Sequence, residues 1–298
     1  MEHIIKVEKV SQYNDLKGIE TQHPLISVFD NSNTKALPNN CRMHLELYAV
    51  FLKGGKCGEL KYGRNNYDYD DGTMVFIAPG QVIEVNNKDD YQPTGMALLF
   101  HPDLIKGTSL GKQISHYSFF SYDSFEALHL SLKEQQIIID LLHKLEYELS
   151  QSIDKHSKSI ISNNIELMLN YCVRFYDRQF ITRENINTDI LSKFENLLKE
   201  YFATESVQET GLPSVGYFAD CLHLSPNYFG DLIKKETGKT PQEHIQLKLI
   251  NLAKERIFDT DKSISQIAFE LGFRYPQHFN RMFKKNTGYT PNEYRSLN

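Results

Sequence analysis

The 298-residue chain has no apolar run approaching the roughly 18 residues that a membrane-spanning helix needs. Its first residues, Met1-Glu2-His3-Ile4-Ile5-Lys6-Val7-Glu8, lack the apolar core of a secretory signal. The four cysteines, Cys41, Cys57, Cys172 and Cys221, form neither a close pair nor a zinc spacing. Structural disulfides are therefore not expected, and reduced thiols in the cytoplasm are. The formal net charge of −5 is not that of a protein that coats nucleic acid without selectivity. What these absences leave is a cytoplasmic protein, long enough for two domains, with no membrane partner.

The charge is uneven. From Ser263 to Asn298 stand Arg274, Arg281, Lys284, Lys285 and Arg295 against Glu270 and Glu293, a net +3. From Pro213 to Lys262, basic and acidic residues cancel. Within the basic stretch, Ile264, Ile267, Ala268 and Leu271 recur at helical spacing, after Ser263 as a cap. Gly272 suits the left-handed residue that ends a helix, Phe273 plugs the turn, and Pro276 suits the first position of a second helix. Phe279, Met282 and Phe283 are placed to pack inward. That leaves Gln277, His278, Asn280, Arg281, Lys284 and Lys285 to meet DNA. Amide and guanidinium groups read base edges, and lysines meet phosphates.

The pattern occurs twice. Ser214, Ala219 and Leu222 match Ser263, Ala268 and Leu271 at an offset of 49. Phe229, Lys234, Lys235, Thr237, Gly238, Thr240, Pro241 and Glu243 match Phe279 through Glu293 at an offset of 50. The extra residue lies in the turn. Two such units present two recognition helices on one chain. From Leu212 to Arg295 the residues resemble the DNA-binding domain of AraC-type (AraC/XylS) transcriptional regulators. The second copy carries Ile-x-x-Ile-Ala-x-x-x-Gly-Phe and then Phe-x-Arg-x-Phe-Lys-Lys-x-x-Gly-x-Thr-Pro-x-x-Tyr-Arg. The resemblance implies an all-α domain of two helix-turn-helix motifs, near 214–235 and 263–285. A linker helix over Pro241–Phe258 would join them. Base reading falls to Asn227, Gln277, His278, Asn280 and Arg281. Backbone contact falls to Ser214, Lys234, Lys235, Ser263, Lys284 and Lys285. Asp231 stands where relatives commonly carry a basic residue, so the first head is expected to read weakly or to read cytosine.

Before this domain, residues 1–40 are turn-rich. Short strands are expected over Met43–Leu52, over Thr73–Gly80 as a buried strand ending in a turn, and over Gln81–Val85 and Gly95–Phe100. The segment Tyr69–Gln81 resembles the middle of a cupin barrel, the sensor that AraC-type proteins often carry. Cupin enzymes gather imidazoles and a carboxylate on a metal. Here there is no His-x-His, and Gln81 follows Pro79-Gly80. His44 and His101 read as ordinary residues, so no metal, cofactor or catalytic residue is expected. A small-molecule effector is, with Tyr48, Phe51, Phe76 and Phe100 as aromatics able to line its pocket and none singled out.

Ile138, Leu142, Leu145 and Leu149, then Ile161, Ile165, Met168, Cys172 and Phe175, predict two antiparallel helices. They either pack on the barrel or form a dimer seam, which the resemblance favours. A further helix, capped by Thr188 or Asp189, is expected to run to about Ala203. The reading is therefore an α+β chain: a cupin-like effector-sensing barrel over 1–130, a dimerising helical pair over 131–184, and the DNA-binding domain over 185–298. It implies a ligand-responsive regulator of double-stranded DNA. By resemblance it is an activator that meets RNA polymerase, working as a homodimer. The alternative is a metal-dependent cupin enzyme fused to a DNA-binding module. A methyl-accepting repair protein is a third class, and it requires clustered cysteines that Cys41 and Cys57 do not supply.

Overall fold

The computed structural model describes residues 4–38, 41–54, 61–62, 65–66, 72–85, 94–123, 126–182, 184–203, 207 and 210–296. The chain divides into two units, Met1–Thr182 and Arg183–Asn298.

In the first unit, strand β1 (Ile4–Val7), helix α1 (Val10–Lys17) and strand β2 (Ile26–Asp30) precede β3 (Cys41–Leu45) and β4 (Tyr48–Lys53). The short strands β5 (Lys61–Tyr62) and β6 (Asn65–Asn66) pair with each other. Then come β7 (Thr73–Ile77), β8 (Gln81–Val85), β9 (Gly95–Phe100), helices α2 (Pro102–Ile105) and α3 (Ser109–Gln113), two 3-10 turns over 114–121, and β10 (Leu128–His129). The strands form a three-stranded sheet, β1-β3-β8, and a five-stranded sheet, β10-β7-β4-β9-β2. The barrel expected from sequence is thus two sheets around one core. That core takes Met43 and Leu45 from one sheet, and Ala49, Ile77, Ala97 and Leu99 from the other.

The single strand expected over Met43–Leu52 is two strands on different sheets. Leu45, Leu47 and Ala49 all enter the same core. The period-two pattern therefore runs unbroken through the corner, and nothing in it marks the break. The turn-rich reading of residues 1–40 missed α1 because its buried face includes Asn14 and Lys17. An apolar stripe with amide and ammonium members has little helical signal.

The outer face of the five-stranded sheet is covered by α4 (Leu132–Leu149) and α5 (Ser157–Thr182). Leu145, Met168, Leu169 and Cys172 are fully buried there, and Cys172 Sγ lies 3.9 Å from Met74 Sδ. Burial on both faces accounts for the nearly continuous apolar run Met96–Phe100. The helical stripes thus pack within the chain; each such side chain contributes about 1.5–3 kcal/mol.

The second unit opens with α6 (Glu184–Ala203). The expected caps Thr188 and Asp189 lie inside this helix, and Asp189 pairs with Lys193 one turn on at 2.6 Å. Just before them, Asn187 is buried and donates to Glu236 Oε1 at 2.9 Å. Helices α7 (Val215–Cys221), α8 (Pro226–Thr237), α9 (Pro241–Arg256), α10 (Ile264–Glu270), α11 (Pro276–Thr287) and α12 (Pro291–Arg295) follow. The linker helix α9 stops at Arg256, two residues short of Phe258. Phe194 of α6 sits at the centre of the first half, edge-on to Phe218, Phe229 and His244.

Burial holds the His244 pKa below its usual 6.5, with Lys239 adding to the effect. The fold therefore favours the neutral ring. Its contribution to stability is present above pH 6.5 and lost as pH falls through the lowered value. His244→Gln should make the acid-side decline of the melting temperature below about pH 6.5 shallower than in wild type; thermal scans on the acid side of that pH check it.

Candidate nucleic-acid interface

The two copies of the repeated motif share one set of local devices. Ser214 Oγ accepts from Tyr217 N at 3.1 Å, and Ser263 Oγ from Gln266 N at 3.2 Å. These serines cap α7 and α10. At the end of each recognition helix, the Thr237 and Thr287 hydroxyls donate to Ile233 O and Phe283 O at 2.8 Å. Gly238 (φ 73°) and Gly288 (φ 85°) then turn the chain left-handed. Thr240 and Thr290 cap the next helices in reciprocal pairs with Glu243 and Glu293. These main-chain contacts hold both carboxyls below their usual range. The repeated Thr-Gly-x-Thr-Pro is thus a helix stop and restart.

Between the helices of the second motif, Gly272 has φ 86° and Phe273 follows, buried. Phe273 N donates to Ala268 O at 3.0 Å, closing the turn. The equivalent residue of the first motif is His223, with φ 55°, a conformation that favours glycine.

On α11, Phe279 and Phe283 are fully buried, and Met282 is half-buried rather than inside. Gln277, His278, Asn280, Arg281, Lys284 and Lys285 are all exposed. Among the described residues, the side chains of Gln277, Asn280, Arg281, Lys284 and Lys285 make no hydrogen bond or ion pair within the chain, though the Lys284 charge helps to lower the Glu293 pKa. Glu270 does not engage Arg281; it pairs with Lys262 at 2.7 Å and with Arg256 at 3.8 Å. On α8, Asn227, Lys234 and Lys235 are exposed, and Asp231 and Gly230 half-exposed. A Cβ at Gly230 would meet nothing within 4 Å. Its lack of a side chain therefore serves no packing purpose, at a position matching Asn280.

Two features escaped the sequence reading. Arg295 was counted with the phosphate-attracting cations. Its guanidinium instead donates to the main-chain oxygens of Ile257 (2.6 Å), Lys262 (3.0 Å) and Asp259 (3.2 Å), tying down the loop between α9 and α10. Tyr275 stands at the cap of α11 without capping it. It is exposed and lies 5.6 Å from the His278 ring. The first recognition helix has Ser225 there, accepting from Tyr228 N at 3.3 Å. The change of residue type between copies was the available signal.

Two helix-turn-helix motifs on one chain, one with an exposed and unengaged polar and basic face, define a DNA-binding protein of the double-headed class. Residues 218–296 match the family described as Helix-turn-helix domain, and this C-terminal domain is of AraC type. The chain is a DNA-binding transcriptional regulator. It is 23% identical over 216 residues to the "Probable transcriptional regulator LumQ" of Photobacterium leiognathi, across 71% of this chain and 77% of that protein. Among solved structures, the C-terminal domain of the response regulator AraT from Geobacillus stearothermophilus is 25% identical. It covers 37% of this chain and 85% of its own at a TM-score of 0.33. ToxT of Vibrio cholerae, solved with an unsaturated fatty acid bound, is 13% identical. There 91% of this chain and 94% of that one are covered, at a TM-score of 0.28.

The two left-handed positions should respond oppositely to substitution. A Cβ on Gly272 would lie 2.7 Å from Val207 Cγ1 and 2.9 Å from Val207 O. Gly272→Ala should therefore cost about 2–3 kcal/mol. His223→Gly should stabilise by about 0.5–1 kcal/mol, because relief of the left-handed histidine exceeds the added freedom of the unfolded chain. Equilibrium unfolding of the full chain checks both signs.

Proposed function

We propose that the chain is a ligand-responsive activator that reads two successive major-groove faces about one helical turn apart. Arg281 is the principal base reader, with Gln277, His278 and Asn280 beside it and Asn227 on the first head. Lys234, Lys235, Lys284 and Lys285 meet phosphates, as do the hydroxyls of Ser214 and Ser263 at their helix starts. The observation that carries this reading is the face of α11: exposed amides and cations that the protein leaves unengaged. The rest of the proposal is a small-molecule effector in the first unit, work in the cytoplasm without catalysis, and contact with RNA polymerase. Ligand binding would shift the balance between DNA-competent and incompetent states.

Among the described residues, no His, Cys, Asp or Glu side chains gather in threes as metal ligands. His44 lies 3.8 Å from Glu46, and His101 Nδ1 accepts from Asp103 N at 3.1 Å as the cap of α2. No described helix is long and apolar enough to cross a membrane.

Arg281 can pair with both guanine acceptors, O6 and N7, worth about 1–3 kcal/mol of discrimination. Arg281→Ala should flatten preference at one base pair. Lys284→Ala should weaken binding to all sequences alike and lower the salt slope by about one. Binding-site selection on wild type and both variants tests the division. An unchanged motif with Arg281→Ala rules out its base-reading role.

For the homodimer, the buried stripe of the helical pair is already occupied within the chain. Ile160 and Leu167 on α5 and Tyr147 on α4 remain exposed, at 42, 45 and 68%. Ile160 and Leu167 are two turns apart on one face, the spacing of a helix seam. Leu167→Glu should give a folded monomer in sedimentation experiments, and Leu145→Glu should unfold the first unit.

A further inference from the structure

The two sheets of the first unit leave a gap at one margin. Strand β10 pairs with β7 only at Thr73 and Met74, so Val75–Ile77 run on beyond it. Strand β8 is the margin of the three-stranded sheet. Where these margins meet the 3-10 turn Ser118–Ser121 and α5 lies a cavity of about 430 Å³. This is within the range of pockets that hold small organic ligands.

Four aromatic rings, Phe76, Phe119, Tyr122 and Tyr176, line the cavity. They hold one another. Phe76 and Phe119 are 4.4 Å apart, Phe119 stacks on Tyr176 at 5.5 Å, and Tyr122 stands edge-on to Tyr176 at 5.3 Å. Tyr176 is further pinned by its hydroxyl, which donates to Glu126 O at 3.3 Å. The Gln81 amide is engaged at both ends, accepting from Ala78 N at 2.9 Å and donating to Phe120 O at 3.3 Å. It therefore braces the wall and has little left for a ligand. Asp123 is the one charged group among the lining residues, and among the described residues its carboxylate is in no ion pair. Among the described residues, no lysine, arginine or histidine lines the space.

We propose that this cavity is the effector site and that it takes a flat aromatic molecule carrying an amine; this rests on the ligand-responsive reading above. Fixed rings favour a planar partner at low entropic cost. Ring faces and a carboxylate both attract a cation. An anionic ligand would meet the Asp123 charge and find no cation in the lining. The site also has a route to function. Tyr176 belongs to α5, the last element of the first unit, which ends at Thr182 directly before the DNA-binding unit in the chain. A ligand seated on Tyr176 loads that element.

The chain contains no tryptophan, so an indole probe can be followed by its own fluorescence. Full-length protein would be titrated with tryptamine and, separately, with the matched anion indole-3-acetate, reading anisotropy. We expect saturable tryptamine binding, with indole-3-acetate at least about tenfold weaker. Asp123→Asn should weaken tryptamine about tenfold, the worth of one charge-assisted contact. Val82→Arg, at a wall position that is 54% exposed, should abolish binding. Both variants should melt as wild type does, which separates loss of the site from loss of the fold. No saturable binding up to about 1 mM, indifference to both substitutions, or equal or tighter binding of the anion overturns the site. DNA affinity measured in the same titrations separates the two layers. A tryptamine-dependent change in wild type that is absent in Val82→Arg supports the effector role. Asp123-dependent binding with unchanged DNA affinity overturns that role. DNA affinity that responds to another small molecule equally in wild type and both variants overturns the cavity while sparing the ligand-responsive reading.

Discussion

The DNA-facing surface depends on one backbone constraint, the left-handed residue between the two helices of each motif. Gly272 reverses the chain after α10 so that Phe273 is buried and α11 begins with its basic face outward. The position has no room for a side chain, because Val207 is packed against it. In the first motif the same reversal is made by His223, which has a Cβ to accommodate. Local strain of this kind persists only where the surroundings fix the conformation. Here the main chain on either side is held by His223 N donating to Asp220 O at 3.1 Å and Leu224 N donating to Ala219 O at 2.9 Å, with Leu224 buried. The turn geometry is kept even where its preferred residue is not.

Charge is allotted according to that geometry. Lys262 and Arg256 are drawn to Glu270, and Arg295 is spent on three main-chain oxygens beside them. Those cations stabilise the second motif and are not available to a polyanion in the same degree. Among the described residues, Arg281 and Lys285 are in no ion pair, and Lys284 acts on the chain's own charges only by helping to lower the Glu293 pKa. An unengaged cation on a helix face is free to exchange its counterions for phosphate, the main source of salt-dependent affinity. The overall charge of −5 and the basic second head are therefore compatible. What matters is which cations remain unspent, more than their number.

The first unit uses its aromatic residues in the opposite sense, to fill space. Tyr48 stacks on Phe100 at 4.9 Å and meets Phe120 edge-on at 5.1 Å. These rings, considered from sequence as pocket candidates, belong to the packed layer between sheet and helices. Phe51 packs against the core between the two sheets. Of the four, only Phe76 reaches the cavity. A sheet buried on both faces needs apolar side chains on both, and its margin, where β10 stops, is where filling gives out.

Much of the DNA-binding unit was legible because its information is local. Caps at Ser225 and Ser263, the stop at Gly272, prolines at first helical positions and the repeat of Phe229 as Phe279 act over a few residues and leave fixed spacings. The outward face of α11 followed from the same periodicity. The strands over Thr73–Ile77, Gln81–Val85 and Gly95–Phe100 were legible too, bounded by turn residues. Other features were decided only by the tertiary structure. Alternation cannot show that Leu45 and Ala49 enter one core from two sheets. Composition cannot show that Arg295 clamps a loop, or that Asn187 is buried against Glu236. Nor can it show that Leu145 and Met168 are covered by the chain's own sheet. Each of these depends on a partner distant in the chain, and a pattern read along the sequence carries no record of what lies across the core.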